Sequence, residues 1–186
     1  CLDLNDASAV RKMIKHIRLN HAQLDVLINN AGEANMAPFQ LTPAETVQGI
    51  FSSNVFGLMN VTREAVKLMQ KNECPGVIVN ISTVATHWAI PGQSIYAASK
   101  AAVEQLTRTL SKELSGFGIR VNNLVLPLYR SSLTRTLPQE IKQKMIERQT
   151  LPRPSVFADL IVPVKCLISS QSAFVTGATL CLGGVQ

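Results

Sequence analysis

The sequence has no two cysteines close enough to form a chelating pair or to staple a small scaffold. Its four cysteines, Cys1, Cys74, Cys166 and Cys181, lie far apart. That excludes a CxxC motif and makes reduced thiols in a cytoplasmic setting the expectation. The three histidines, His16, His21 and His87, lack ligand partners at zinc-like spacing, so no metal site is expected. No apolar run approaches the roughly 20 residues that span a bilayer, and no signal-peptide pattern opens the chain. A membrane is therefore not an expected partner. Acidic residues fall short of basic ones, 12 against 18, for a net charge of +6. The basic residues are nonetheless dispersed, with Arg11-Lys12 and Lys142/Lys144 the nearest approach to clusters. Such scatter reads as solvated surface and gives no nucleic-acid stripe. Repeats, low-complexity stretches and a second domain are also missing, which leaves residues 1–186 as one domain.

What is present is the composition of a globular chain, 46% hydrophobic and 16% charged, long enough to bury a substantial core. Leu2-Asp3-Leu4 reads as the end of a buried strand, and Asn5-Asp6 as the start of a helix over roughly Ala7 to Asn20. Val10, Met13, Ile14 and Ile17 form its core-facing stripe. Leu24 to Ile28 is an apolar run of the parallel-sheet type, and it ends in Asn29-Asn30-Ala31-Gly32. Thr42-Pro43-Ala44-Glu45 has the form of a capping box with Pro at the first helical position, opening a helix to about Lys71 with a bend near Ser52-Ser53. Further strands are expected at Gly76–Thr83, Ile119–Leu126 and Thr179–Leu182, and a long helix at Ser94–Ser115. A short helix is expected over Pro138–Arg148, and Pro163 should end or kink another near Val156–Ser169.

Strands alternating with helices predict βαβ units, hence an α/β fold with a doubly wound parallel sheet and its ligands at the carboxyl ends of the strands. The turn at Asn29 to Gly32, the hydroxyls Ser82-Thr83 and the segment after Pro127 all fall at such ends. The helix beginning Ser94-Ile95-Tyr96-Ala97-Ala98-Ser99-Lys100 starts beside them. Tyr96 and Lys100 are four residues apart and share a helix face. An ammonium near a phenol favours the phenolate, making Tyr96 the candidate acid/base. By themselves the two could equally be an ordinary, partly exposed pair.

Taken together, Asp3 after the first apolar segment, Asn29-Asn30-Ala31-Gly32, Asn54 in Asn-Val-Phe-Gly, and Tyr96-Ala-Ala-Ser-Lys100 resemble the short-chain dehydrogenase/reductase family. The pattern is most similar to its 3-oxoacyl-carrier-protein-reductase-type members and runs over nearly the whole chain. The resemblance implies a Rossmann-like fold and an oxidoreductase that interconverts a carbonyl and a secondary alcohol with NADP or NAD. A 3-oxoacyl thioester or small ketone would be the substrate, and a homodimer or homotetramer the assembly. By the same resemblance Tyr96 is the proton donor, Lys100 binds the nicotinamide ribose, and Asn54 holds a relay water through its backbone. Thr83, thirteen residues before Tyr96, takes the place of the family's Ser and would contact substrate with Tyr96, with Ser82 as its stand-in. Asp3 and Leu4 would meet the adenine, Asn30, Ala31 and Gly32 the adenosine and ribose. Pro127, Arg130 and Ser132 would lie along the nicotinamide carboxamide.

Three departures qualify the likeness. Leu128 stands where the family has Gly after Pro127, and Leu182 stands for the Asp before the terminal Gly-Gly. The family's glycine-rich phosphate turn does not occur in these 186 residues. By resemblance the chain then corresponds to the carboxyl-terminal part of the fold, without the first βαβ unit, and is expected to bind dinucleotide poorly. The alternative reading is a truncated or divergent, non-catalytic interaction protein. In it the two long helices, with Ala97, Ala98, Ala101 and Ala102, form an oligomerisation surface.

Overall fold

The computed structural model describes residues 2–71, 75–129, 131–135 and 137–184, without the side chains of Ser132 and Leu133. Arg130, Cys1 and Cys74 lie outside the described residues. In chain order the elements are α1 (Ala7–His21), β1 (Val26–Asn29), α2 (Ala44–Phe51), a π-helical turn (Ser52–Gly57) and α3 (Leu58–Lys71). After these come β2 (Val77–Thr83), α4 (Ala85–Trp88), α5 (Ser94–Glu113) and β3 (Arg120–Leu126). The chain closes with α6 (Ser132–Arg135), α7 (Gln139–Glu147), α8 (Phe157–Ile168) and β4 (Thr179–Cys181). The four strands form one parallel sheet in the order β1-β2-β3-β4.

Alternation along β2 explains why helices cover both faces of this sheet. Val77, Val79 and Ile81 point one way and pack with Leu124 and with Leu167 of α8. Ile78 points the other way, into a cluster with Met69 of α3, Val121 and Leu114. Behind α3, its residues Ala65 and Leu68 close on Ile14 of α1. Each aliphatic side chain removed from water in this way contributes roughly 1.5–3 kcal/mol. The stripe expected on α1 is the one that is used, with Val10 and Ile14 buried.

Four local expectations need correction. Leu2-Asp3-Leu4 is not a strand: the Asp3 carboxylate accepts from Asn5 N at 2.9 Å, and Asp6 N donates to Asp3 O at 3.2 Å. Those bonds close a turn, and no strand pairs with this stretch among the described residues. Thr42 does not cap α2: the helix starts at Ala44 after an extended Pro43, no side chain accepts from its first N–H groups, and the Thr42 hydroxyl is turned to the Pro38 carbonyl. Pro163 does not end its helix, which continues to Ile168. The missing Pro163 N–H forgoes one bond in the middle of α8, while Leu160 and Leu167 hold the helix in place by burial. The connection containing Trp88 is not all loop, since α4 forms there and buries Trp88.

Candidate active site

The carboxyl ends of β1, β2 and β3 open into a cavity of about 730 Å³. Its polar wall carries Thr83 from the tip of β2 and Tyr96 and Lys100 from the first turns of α5. Asn30, Ala31 and Gly32, after β1, form the second wall, and Pro127 and Leu128, after β3, the third. The opposite side is apolar, with Met36, Leu137, Met145, Leu160 and Ile161 among its lining.

Helical periodicity puts Tyr96 and Lys100 side by side, and the environment sets their protonation. Burial pushes the Tyr96 phenol above its usual range, while a hydrogen bond from Thr83 acts in the opposite direction. Lys100 is 5% exposed, and burial lowers its pKa to about 8. Its Nζ donates to the Ile81 carbonyl at 2.9 Å, which satisfies one of its three protons inside the protein. Near pH 7 the amine therefore keeps its charge, with deprotonation only about one pH unit away.

Asn54 lies in the π turn and is fully buried. Its Oδ1 accepts from Glu33 N at 2.7 Å, and its Nδ2 donates to Glu33 O at 2.8 Å and Ser99 Oγ at 3.0 Å. The side chain is thus spent on fixing the loop after Gly32. A Cβ at Gly32 would sit 2.8 Å from Asn54 Oδ1 and 3.3 Å from Lys100 Nζ, so the loop passes this close only because the residue is glycine.

Of the residues expected at the site, Thr83, Tyr96, Lys100, Asn30, Ala31, Gly32 and Pro127 converge on the cavity. Asn54 stands behind them, under Gly32. Asp3 and Leu4 do not line the cavity: Asp3 is an exposed turn residue, and Leu4 packs near Gly57, with its carbonyl accepting from Asn60. Ser132 falls in α6, its side chain outside the described set, as is Arg130. Gln93 and Asn35, which no motif pointed to, also line the cavity, and Asn35 Oδ1 is buried there without a partner. Glu104 likewise escaped notice, although its place one turn beyond Lys100 on the same face was readable from spacing.

The whole chain resembles proteins of known activity. Residues 1–184 match the family model described as Enoyl-(Acyl carrier protein) reductase. A 3-oxoacyl-[acyl-carrier-protein] reductase of Thermotoga maritima is 32% identical over 183 residues, covering 98% of this chain and 74% of that protein. The gluconate 5-dehydrogenase of Burkholderia cenocepacia, solved with NADP and tartrate, superposes with a TM-score of 0.93 at 28% identity. That match covers 98% of this chain and 72% of the other. A 4-hydroxyisoleucine dehydrogenase solved with NADH superposes with a TM-score of 0.88 at 27% identity, covering 100% of this chain and 79% of the other.

Proposed function

The chain belongs to the short-chain dehydrogenase/reductase family, and from that premise we propose that it interconverts a carbonyl and a secondary alcohol with NADP or NAD. The observation that carries this reading is the convergence of Thr83, Tyr96 and the buried Lys100 on one wall of the cavity, with the Thr83 hydroxyl beside the phenol and acting to lower its pKa. The residues present fit the nicotinamide-ribose half of a dinucleotide. The Asn30–Gly32 backbone lines the cavity beside an ammonium with two donor positions beyond its bond to Ile81. Lys100 and Tyr96 would hold the ribose, the Asn30–Gly32 turn the adenosine side, and the backbone after Pro127 the carboxamide. When bound there, the nicotinamide supplies or takes up a hydride.

For reduction, Tyr96 donates its phenolic proton to the substrate oxygen as negative charge develops on it. The Thr83 hydroxyl donates a hydrogen bond to the same atom, and the Lys100 charge favours the phenolate left behind. Burial keeps Tyr96 protonated at neutral pH, which suits a proton donor. The apolar wall of Met36, Leu137 and Met145 favours an acyl or alkyl substituent next to the carbonyl, as in a 3-oxoacyl thioester or small ketone.

The test is titration of NADH and NADPH by nicotinamide fluorescence, followed by turnover of an acetoacetyl thioester with the unmodified protein and with Tyr96→Phe. The reading expects both proteins to bind, weakly for want of the glycine-rich phosphate turn, and turnover by the unmodified one alone. Equal turnover by Tyr96→Phe overturns Tyr96 as the acid. Absence of nucleotide binding both by the unmodified protein and by a version carrying a relative's glycine-rich amino-terminal segment overturns the oxidoreductase reading in favour of a non-catalytic interaction protein.

A further inference from the structure

Glu104 is a buried carboxylate that this reaction does not use. It is 7% exposed, and no ion pair to it is found among the described residues. Desolvating an anion without a cation is costly unless hydrogen bonds compensate. Here the compensation comes from two hydroxyls on a single oxygen: Glu104 Oε1 accepts from Ser82 Oγ at 2.6 Å and from Thr86 Oγ1 at 2.7 Å, the one Thr86 proton being shared with the Thr83 carbonyl at 2.8 Å. Short bonds of this charge-assisted kind are among the strongest a side chain makes.

The two donors flank Thr83. Ser82 precedes it on β2, and Thr86 follows it on α4. One carboxylate oxygen therefore grips both arms of the turn that presents the Thr83 hydroxyl. The acceptor sits on α5, eight residues beyond Tyr96 and four beyond Lys100, on the face that carries both. Lys100 fastens the same strand one residue earlier, at the Ile81 carbonyl. The bond to Glu104 also commits the Ser82 proton, so Thr83 is the hydroxyl left to act beside Tyr96.

We propose that Glu104 is a positioning residue for the reaction proposed above: it locks the β2–α4 turn onto α5, so that the Thr83 hydroxyl stays within hydrogen-bonding reach of the Tyr96 phenol. Three further titratable groups belong to the elements around this carboxylate. Lys100 lies one turn back, and His87 Nδ1 is 2.8 Å from Thr86 Oγ1. The Cys181 thiol is pushed up by burial and secondarily by the Glu104 charge.

The proposal is tested without cofactor or substrate by titrating Tyr96 through its ultraviolet difference absorbance. Tyr129, the only other tyrosine, is replaced by Phe in every protein used. Removing the Thr83 hydrogen bond with Thr83→Val raises the Tyr96 midpoint by roughly half to one pH unit. Glu104→Leu is expected to raise it as much, and Glu104→Gln, which retains the accepting oxygen, to leave it in place. The pair Ser82→Ala with Thr86→Val breaks the same grip from the other side and serves if Glu104→Leu does not fold. Adding Glu104→Leu to that pair should move the midpoint no further. In turnover assays Glu104→Leu is expected to lower kcat about tenfold or more with little change in KM, and Glu104→Gln to restore it.

A midpoint unmoved by Glu104→Leu or by the hydroxyl pair, while Thr83→Val moves it, overturns the proposal. So does a Glu104→Gln variant that behaves like Glu104→Leu. An unmodified protein without turnover defeats the oxidoreductase reading and leaves the phenol titration to decide the positioning role.

Discussion

The Lys100 ammonium donates to the carbonyl oxygen of Ile81, 2.9 Å away, from a side chain that is almost wholly buried. Its pKa in the folded protein, about 8, lies below the ordinary lysine value of 10.5. Below pH 8 both folded and unfolded chains carry the proton, and the desolvation cost is present in full. Between about pH 8 and 10.5 the unfolded chain binds more protons than the folded one, so this group's contribution to stability rises with pH. Lys100→Met removes that rise. In urea unfolding across this range, the stability of the unmodified protein should gain on the variant, and a constant difference between the two would contradict the assignment.

Tyr96 has the opposite sign. Its folded-state pKa is raised by burial, so above the unfolded value near 10 the unfolded chain loses its phenolic proton first, and stability falls. Tyr96→Phe should flatten the alkaline limb of the stability curve. A limb of unchanged steepness in the variant would show that the phenol is not protected by the fold.

Thr83 and Tyr96 act on one oxygen atom in the proposed reaction, so the hydroxyl matters more than the methyl. Thr83→Ser is expected to retain kcat within about tenfold, and Thr83→Val to lose roughly 10²–10³-fold, the usual cost of one donor to a developing oxyanion. Steady-state kinetics with an acetoacetyl thioester distinguishes these results. A Ser82→Ala loss exceeding that of Thr83→Val would reverse the assignment of the two hydroxyls.

Gly32→Ala would put a methyl 2.8 Å from Asn54 Oδ1. Asn54 cannot easily yield, since three hydrogen bonds hold its amide. The variant should lose about 1–3 kcal/mol of stability and its nicotinamide fluorescence response together. Wild-type binding in a stably folded Gly32→Ala protein would place the nucleotide elsewhere.

Asn123 is fully buried on β3, and both its amide nitrogen and its oxygen lack partners. It stands in register with Asn80 on one side and Thr179 on the other. The neighbouring Asn80 is served by Asn29 and Thr107, whereas Asn123 receives nothing. Replacing an unsatisfied buried amide by an apolar β-branched side chain should stabilise the sheet by about 1 kcal/mol. Denaturant unfolding of Asn123→Val measures this, and a lower midpoint would mean that an internal water serves the amide.

Periodicity read along the chain was enough for α1, α5, the four strands and their parallel arrangement, because each rests on apolar residues recurring at local spacing. The neighbourhood of Tyr96 and Lys100 was legible for the same reason, four residues being one helical turn. The bend expected near Ser52-Ser53 takes the form of a π turn with Asn54 buried inside it. Local chemistry misled where a competing acceptor lay nearby. Thr42 turned its hydroxyl to the Pro38 carbonyl and accepts from no N–H of the α2 N-terminus, and Asp3 closed a turn where an apolar segment suggested a strand.

The sequence by itself therefore determined the α/β class, the strand ends that gather the site, and the Tyr-Lys helix face, since these follow from patterns within one or two turns of chain. Only the tertiary structure gave Ser82 and Glu104 each other as partners and kept Asp3 and Leu4 out of the cavity. The bonds responsible join residues 18 and 22 positions apart, as for Glu104 with Thr86 and Ser82. A carboxylate's partner at that distance depends on how α5 crosses the end of β2, which the packing of Ile78, Met69 and Leu114 beneath it fixes.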